Sequence, residues 1–186
     1  MLESTFLCYN NDNMTQGGLL MDIEKNLALF QELICCGGNV YTWQYDPEGN
    51  LLSSNCPHEA LFGEAFSILG CMERALSLGW GGEGPQIVGT SFGLLWGVDF
   101  TRNCGNFLLL HVIGPVFSCN VSAQDIENGF NRYADPRFSL AWKHRLVQAY
   151  EEVPVVPHQL FVRYLLMLHY CLTGERLDPS DTAIRQ

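Results

Sequence analysis

Between Gly38 and Phe117 the apolar residues change period in a fixed order, and that order leaves few folds open. Two short runs come first, at residues 39–45 and 50–54, with strand-like patterns. In the first, Tyr41, Trp43 and Tyr45 share one face, and Val40, Thr42 and Gln44 the other. The segment Asp46-Pro47-Glu48-Gly49-Asn50 joins them as a turn, with proline fixing φ early and glycine supplying a positive φ late. Residues 59–78 then switch to helical spacing, with Leu61, Phe62, Ala65, Phe66, Leu69, Met72 and Leu76 along one stripe. Pro57 suits the first turn of that helix, and Glu59 favours the positive end of its dipole. Three further strand patterns follow at 86–90, 93–100 and 106–113. In the second, Leu94, Trp96 and Val98 point one way and Leu95, Gly97 and Asp99 the other; the third is the most apolar and reads as central. The order strand-strand-helix-strand-strand-strand predicts an α+β domain built on a five-stranded antiparallel sheet.

Helices flank this block on both sides. Leu20, Ile23, Leu27, Phe30 and Ile34 share one face of a helix that starts near Leu19. Cys35-Cys36-Gly37-Gly38 stops it, with glycine in the usual cap position. After Gly114-Pro115-Val116-Phe117 ends the sheet, Ser122 and Asp125 have capping-box spacing, with Ile126, Phe130 and Tyr133 on the following face. Asp135-Pro136 opens another helix carrying Phe138, Trp142, Leu146 and Tyr150, and Val153-Pro154-Val155-Val156-Pro157 breaks it. A last helix runs from His158 to Thr173 and ends at Gly174. The expected division is a loose arm at 1–18, a single domain at 19–177 and a polar tail at 178–186. The last helix is apolar nearly all round, through Leu160, Phe161, Tyr164, Leu165, Met167, Tyr170 and Leu172. Such a helix has to be covered on both sides. Either it forms a two-fold homodimer interface over residues 160–172, or it is sandwiched between the sheet and the Trp142 helix.

A chain of 186 residues supports one well-buried core and falls short of two comfortable ones. Its net charge of −10 is uneven: residues 1–130 hold 14 acids and 3 bases, residues 131–186 hold 6 acids and 7 bases. An acidic front half repels phosphate backbones, so no direct nucleic-acid contact by this chain is expected. The longest apolar runs are too short to cross a bilayer. No basic segment followed by an apolar core stands at the N-terminus, so the expected compartment is the cytoplasm, without membrane attachment. The eight cysteines show no CxxC pair, and in a reducing compartment they read as small buried hydrophobes.

Signals for chemistry are sparse. Cys56 and His58 stand close together at a helix start, where a thiol pKa falls, and form the best candidate for a nucleophile and its base. The competing reading packs Cys56 against the sheet. His58, His111, His144, His158 and His169 are scattered, and neither a metal site nor a cofactor is expected. His111, on the central strand, reads either as a hydrogen-bonded core residue or as a polar ligand contact. The run from Gly79 to Pro85 lacks the Lys-Ser/Thr ending of a phosphate loop and reads as a connector or lid. The remaining candidate is a pocket between the sheet and the 59–78 helix. It would be lined by Trp43, Tyr45, Phe62, Phe66, Trp96 and Phe107, with His111 as its polar anchor. The alternative is that the same aromatics simply fill the core.

The stretch Tyr45-Asp46-Pro47-Glu48-Gly49-Asn50-Leu51-Leu52 resembles the hairpin that opens PAS and GAF modules. Several further strings resemble the N-terminal sensor region of AraC-type transcriptional regulators from Gram-positive gut bacteria. They are Gly114-Pro115-Val116-Phe117-Ser118, Val153-Pro154-Val155-Val156-Pro157, Leu172-Thr173-Gly174-Glu175, Leu29-Phe30 and Ser54-Asn55-Cys56-Pro57. The resemblance covers about residues 25–177. It implies a PAS/GAF-like sheet, a small-molecule effector and coupling of effector binding to dimerisation, without enzymatic activity. In that family a pair of helix-turn-helix units follows the sensor, whereas the tail here reads as polar. Two other readings stay open: a protein-interaction module with a filled core, and a small enzyme using Cys56.

Overall fold

The computed structural model describes residues 15–132, 139–150, 152–181 and 184–185. In chain order the elements are α1 (Thr15–Gly38), β1 (Tyr41–Tyr45), β2 (Leu51–Ser54), α2 (Glu59–Ile68) and α3 (Cys71–Trp80). There follow β3 (Gln86–Gly89), β4 (Leu94–Asn103), β5 (Asn106–Phe117), α4 (Ala123–Asn131), α5 (Leu140–Tyr150) and α6 (His158–Thr173). Five strands form an antiparallel sheet in the order β2-β1-β5-β4-β3, an arrangement consistent with a PAS/GAF-like sheet. The tail expected to be merely polar contributes a two-residue strand, β6 (Ile184–Arg185), which pairs in parallel with β3 and covers its open edge.

The sheet separates two cores. On one face Trp43, Tyr45, Trp96, Val98, Phe100, Leu110 and Val112 pack against α2, α3, α4 and α5. On the other, Val40, Ile87, Leu95, Ile113 and Val116 pack against α1 and α6. The alternation expected along β4 is observed, with Leu94, Trp96 and Val98 in the first core and Leu95 in the second. α1 and α6 thus share a layer, and α5 lies on the opposite face. Sandwiching of α6 between the sheet and the Trp142 helix is therefore ruled out. The sheet-facing side of α6 buries Phe161, Val162, Leu165, Leu168 and Leu172, while Leu160, Met167 and Tyr170 stay exposed.

Several boundaries differ from the sequence reading for identifiable reasons. The single helix expected at 59–78 is two. Gly70 takes φ 71°, a left-handed conformation in which α2 cannot continue, and α3 starts at the next residue. α1 begins by Thr15, within the segment read as a loose arm, and continues through Gly37 and Gly38. The positive φ that ends α1 falls on Asn39, whose N–H donates to the Cys35 carbonyl. β4 runs further than expected because its turn into β5 is tight, and β5 runs on to Phe117 because Val116 and Phe117 still pair with Leu95 and Leu94. Cys104 and Gly105 both have positive φ, as in a two-residue hairpin of the primed type, and Asn103 pairs with Asn106. The capping box at Ser122 and Asp125 is present, and α6 has the expected ends, with Gly174 left-handed at its C-cap. The expected helix start at Asp135-Pro136, with Tyr133 and Phe138, lies outside the described residues.

Candidate functional site

The predicted pocket residues divide between the two faces of the sheet. Trp43, Tyr45, Phe62, Phe66, Trp96 and Phe107 all lie in the α2–α5 core and are buried. Phe66 is their centre: its ring lies 5.3 Å from Trp96 and 6.2 Å from Tyr45, while Phe62 meets Tyr150 edge-on at 6.3 Å. His111 is not among them. It faces α6, and its Nε2 lies 2.7 Å from Thr101 Oγ1. Simple alternation along β5 would put His111 on the same face as Phe107. The β4–β5 register skips Leu108, however: Arg102 pairs with Phe107 and Thr101 with Leu109. That bulge reverses the facing of the residues from Leu109 to Ile113, until a second irregularity opposite Leu95 and Gly97 restores it. One cavity cannot be lined by the six aromatics and His111 together.

The aromatic core is closely filled but polar in two places. Trp43 Nε1 and Tyr150 Oη are both buried without a hydrogen-bond partner. Leaving a buried donor unpaired costs about 1–3 kcal/mol. Burial also drives the Tyr150 phenol well above its ordinary pKa, so it remains a neutral donor. Tyr150 borders a hollow of about 270 Å³ at the end of the sheet, together with Phe117, Val121, Ile126 and Val153. Two shallower grooves flank the outer side of α2. One, of about 650 Å³, lies against α5 and is lined by His58, Glu59, Glu64, Arg145, Gln148 and Glu152. The other, of about 350 Å³, lies against the β1–β2 hairpin and reaches Tyr45 and Met72. They share Glu59, Ala60 and Glu64, so α2 is a wall common to both. Glu64 also accepts a hydrogen bond from Trp142 Nε1 at 2.6 Å, tying α2 to α5.

The Cys56–His58 arrangement does not assemble as a nucleophile with its base. Cys56 is buried, and burial pushes its thiol up to about 11, so little thiolate exists at neutral pH. His58 Nε2 lies 2.8 Å from Glu152 on the far side of the groove. Cys71 is likewise pushed up to about 11 by burial, although Arg74 Nη2, at 3.0 Å from its sulfur, acts against that. Among the described residues no group of three or more His, Cys, Asp or Glu stands close enough together to hold a metal ion. None of the described helices is long and apolar enough to cross a membrane.

A second titratable cluster lies on the opposite face and was missed by sequence reasoning. Asp99 of β4 is fully buried and lies 2.9 Å, Oδ2 to Nδ1, from His169 of α6. Its other oxygen accepts from the Phe100 amide at 2.8 Å. Across the ladder Asp99 pairs with His111, which burial pushes down to about 4 against the pull of Asp99. His169 is held above its ordinary pKa by its hydrogen bond to Asp99. Seventy positions separate Asp99 from His169, and only a periodicity placing α6 over β4 could have signalled the pair.

No family model matches the chain, and no curated protein matches it.

Proposed function

We propose that this chain is a ligand-sensing regulatory domain of a cytoplasmic transcriptional regulator. A small-molecule effector would enter the aromatic core beside α2 and couple through the sheet to homodimerisation along residues 160–172, or to a DNA-binding domain. The single observation that carries this reading is the pair of unpartnered donors, Trp43 Nε1 and Tyr150 Oη, inside an otherwise apolar core. A mostly apolar site with one or two buried polar groups is the usual make-up of a small-molecule pocket. An effector with an apolar body and a hydrogen-bond acceptor would satisfy such donors. The division into two cores supports the coupling. The α2–α5 layer would receive the ligand, and the α1/α6 layer, with Leu160, Met167 and Tyr170 exposed, would pass the response on.

One observation favours a second reading. Phe66 already stacks on Tyr45 and packs at a tilt against Trp96, and the grooves along α2 reach Tyr45 but neither Trp43 nor Trp96. A protein-interaction module with a filled core would look the same there. Trp43→Phe and Tyr150→Phe separate the two readings. Tyr150→Phe removes an unpaired donor at nearly constant volume and should raise the stability of the free protein by about 1 kcal/mol; Trp43→Phe removes the other donor together with part of a buried ring, so its gain is offset by the cavity it leaves. Under the sensing reading they also weaken binding of the effector found by a thermal-shift screen of small metabolites by about tenfold each. A screen without hits, together with the same stabilisation, would leave the interaction module.

A further inference from the structure

The buried Asp99–His169 pair follows from how closely α6 approaches the sheet. At Gly97 a Cβ would stand 2.8 Å from Ile113 Cγ1 and 3.2 Å from Leu165 Cδ1, so a side chain here would press on β5 and on α6 alike. Two residues further along β4 advance the chain by about 6.8 Å, and four residues along α6 by about 6 Å. The contact of Gly97 with Leu165 is thereby followed, in step, by Asp99 with His169 at 2.9 Å. The ion pair is the next tooth of the same meshing. If it weakens, the docking of α6 weakens with it.

We propose that this pair is a proton-operated latch: α6 stays fully docked on the sheet while His169 carries its proton, and loosens when the proton leaves. Among the described residues the carboxylate of Asp99 has no other cation within salt-bridge distance. His111, its cross-strand partner, is kept neutral by burial. Arg102, on the same strand, donates instead to the carbonyls of Gly79 and Glu83. The charged groups acting on His169 are Asp99 from the sheet and Glu175 from the segment after α6, and both favour its protonated form. Once His169 is neutral, Asp99 is a buried carboxylate without a counter-charge, a costly arrangement that opening the helix relieves. His169 Nε2 is buried without a partner, so opening also lets that nitrogen reach water. Loss of the counter-charge favours release on deprotonation; the unpaired Nε2, an N–H donor in the imidazolium, acts against it and is the smaller of the two effects.

The direction follows from the pKa values. The folded pKa of His169 lies above its ordinary 6.5, so its contribution is complete below 6.5 and lost as pH rises through the raised value. His111 works in the opposite sense. Its folded value of about 4 means that the opened chain takes up a proton which the docked state refuses, so docking weakens as pH falls from 6.5 towards 4. Two histidines on one carboxylate therefore bracket a pH range in which α6 is held most firmly. The α1/α6 layer would respond to pH whether or not the opposite face takes a ligand, so this proposal and the sensing reading can fail separately.

Amide hydrogen exchange of residues 161–172, corrected for intrinsic rates and measured from about pH 6 to about pH 9, tests it. In the unmodified chain, protection should fall by about tenfold for each unit by which the His169 pKa is raised, while α2 and α3 stay unchanged. His169→Gln, which keeps a neutral donor towards Asp99, should show no such fall. Glu175→Gln, a surface change, should move the loss of protection to lower pH. Equal loss in the unmodified chain and in His169→Gln, or constant protection across the range, overturns the latch. Should His169→Gln fail to fold, NMR titration of the His169 ring in the unmodified chain decides. A midpoint above 6.5 supports the latch, and one at or below 6.5 overturns it.

Discussion

Alanine at Gly97 and alanine at Gly63 should move stability in opposite directions, although both add one methyl group to a glycine. At Gly97 the new carbon meets Ile113 Cγ1 at 2.8 Å, Ile113 Cδ1 at 3.2 Å and Leu165 Cδ1 at 3.2 Å. Carbon–carbon contacts are comfortable at about 3.5–4.0 Å, so roughly 0.7 Å must be found on the Ile113 side alone. Neither neighbour can readily give way, because Ile113 and Leu165 are both fully buried. The strain passes to the α6 contact and stretches the 2.9 Å Asp99–His169 bond. Overpacking of this kind costs about 1–3 kcal/mol. For a chain of this size that is a loss of about 2–12 °C in melting temperature. At Gly63, in the middle of α2, the nearest atom to a new Cβ is Tyr45 Oη at 3.6 Å, an ordinary contact. Removing a glycine from a helix interior then gains about 0.5–1 kcal/mol. Urea titration of both variants, read by tryptophan fluorescence and far-UV circular dichroism, measures the two midpoints. Hydrogen exchange should place the Gly97→Ala loss in α6. If Gly97→Ala lies within 0.5 kcal/mol of the unmodified chain, or the two substitutions shift the midpoint in the same direction, the close docking of α6 described above is wrong.

Three further outcomes follow. Phe66→Ala should cost about 3–5 kcal/mol, because Phe66 joins Trp96 and Tyr45 at the centre of the α2–α5 core; a chemical-denaturation loss below about 1 kcal/mol would contradict the packing. Iodoacetamide at neutral pH should label the exposed Cys36, Cys104 and Cys119 well before the buried Cys56 and Cys71, as peptide mass spectrometry would show; preferential labelling of Cys56 would revive the enzyme reading. His111→Gln should flatten the loss of stability between pH 6.5 and about 4, since a depressed histidine costs stability as pH falls; denaturation midpoints across that range give the slope.

How far the sequence could be read depends on how local each determinant is. The order of strands and helices was legible because period-two and period-3.6 patterns alternate cleanly from Tyr41 to Phe117, and so were the Ser122 capping box and both ends of α6. The break between α2 and α3 was not. Leu69, Met72 and Leu76 continue the stripe of Phe62 and Phe66, and a lone Gly70 inside such a stripe does not announce a left-handed turn. The placing of His111 failed through one residue: the bulge at Leu108 lies where neighbouring side chains are all apolar, so no pattern marks it. The Asp99–His169 pair depends on which face α6 covers, a tertiary choice that the all-round apolarity of that helix leaves open. The orphaned donors of Trp43 and Tyr150 are invisible in sequence, because both residues read simply as core aromatics.

The sensing account is tested most directly by native mass spectrometry of the chain purified from cells, compared with the Trp43→Phe, Tyr150→Phe double variant. The account predicts a non-covalent small-molecule adduct on the unmodified chain and a clearly lower occupancy on the variant, because the two donors that hold the ligand are gone. A chain that carries no adduct, or one whose adduct is unchanged in the variant, would contradict it.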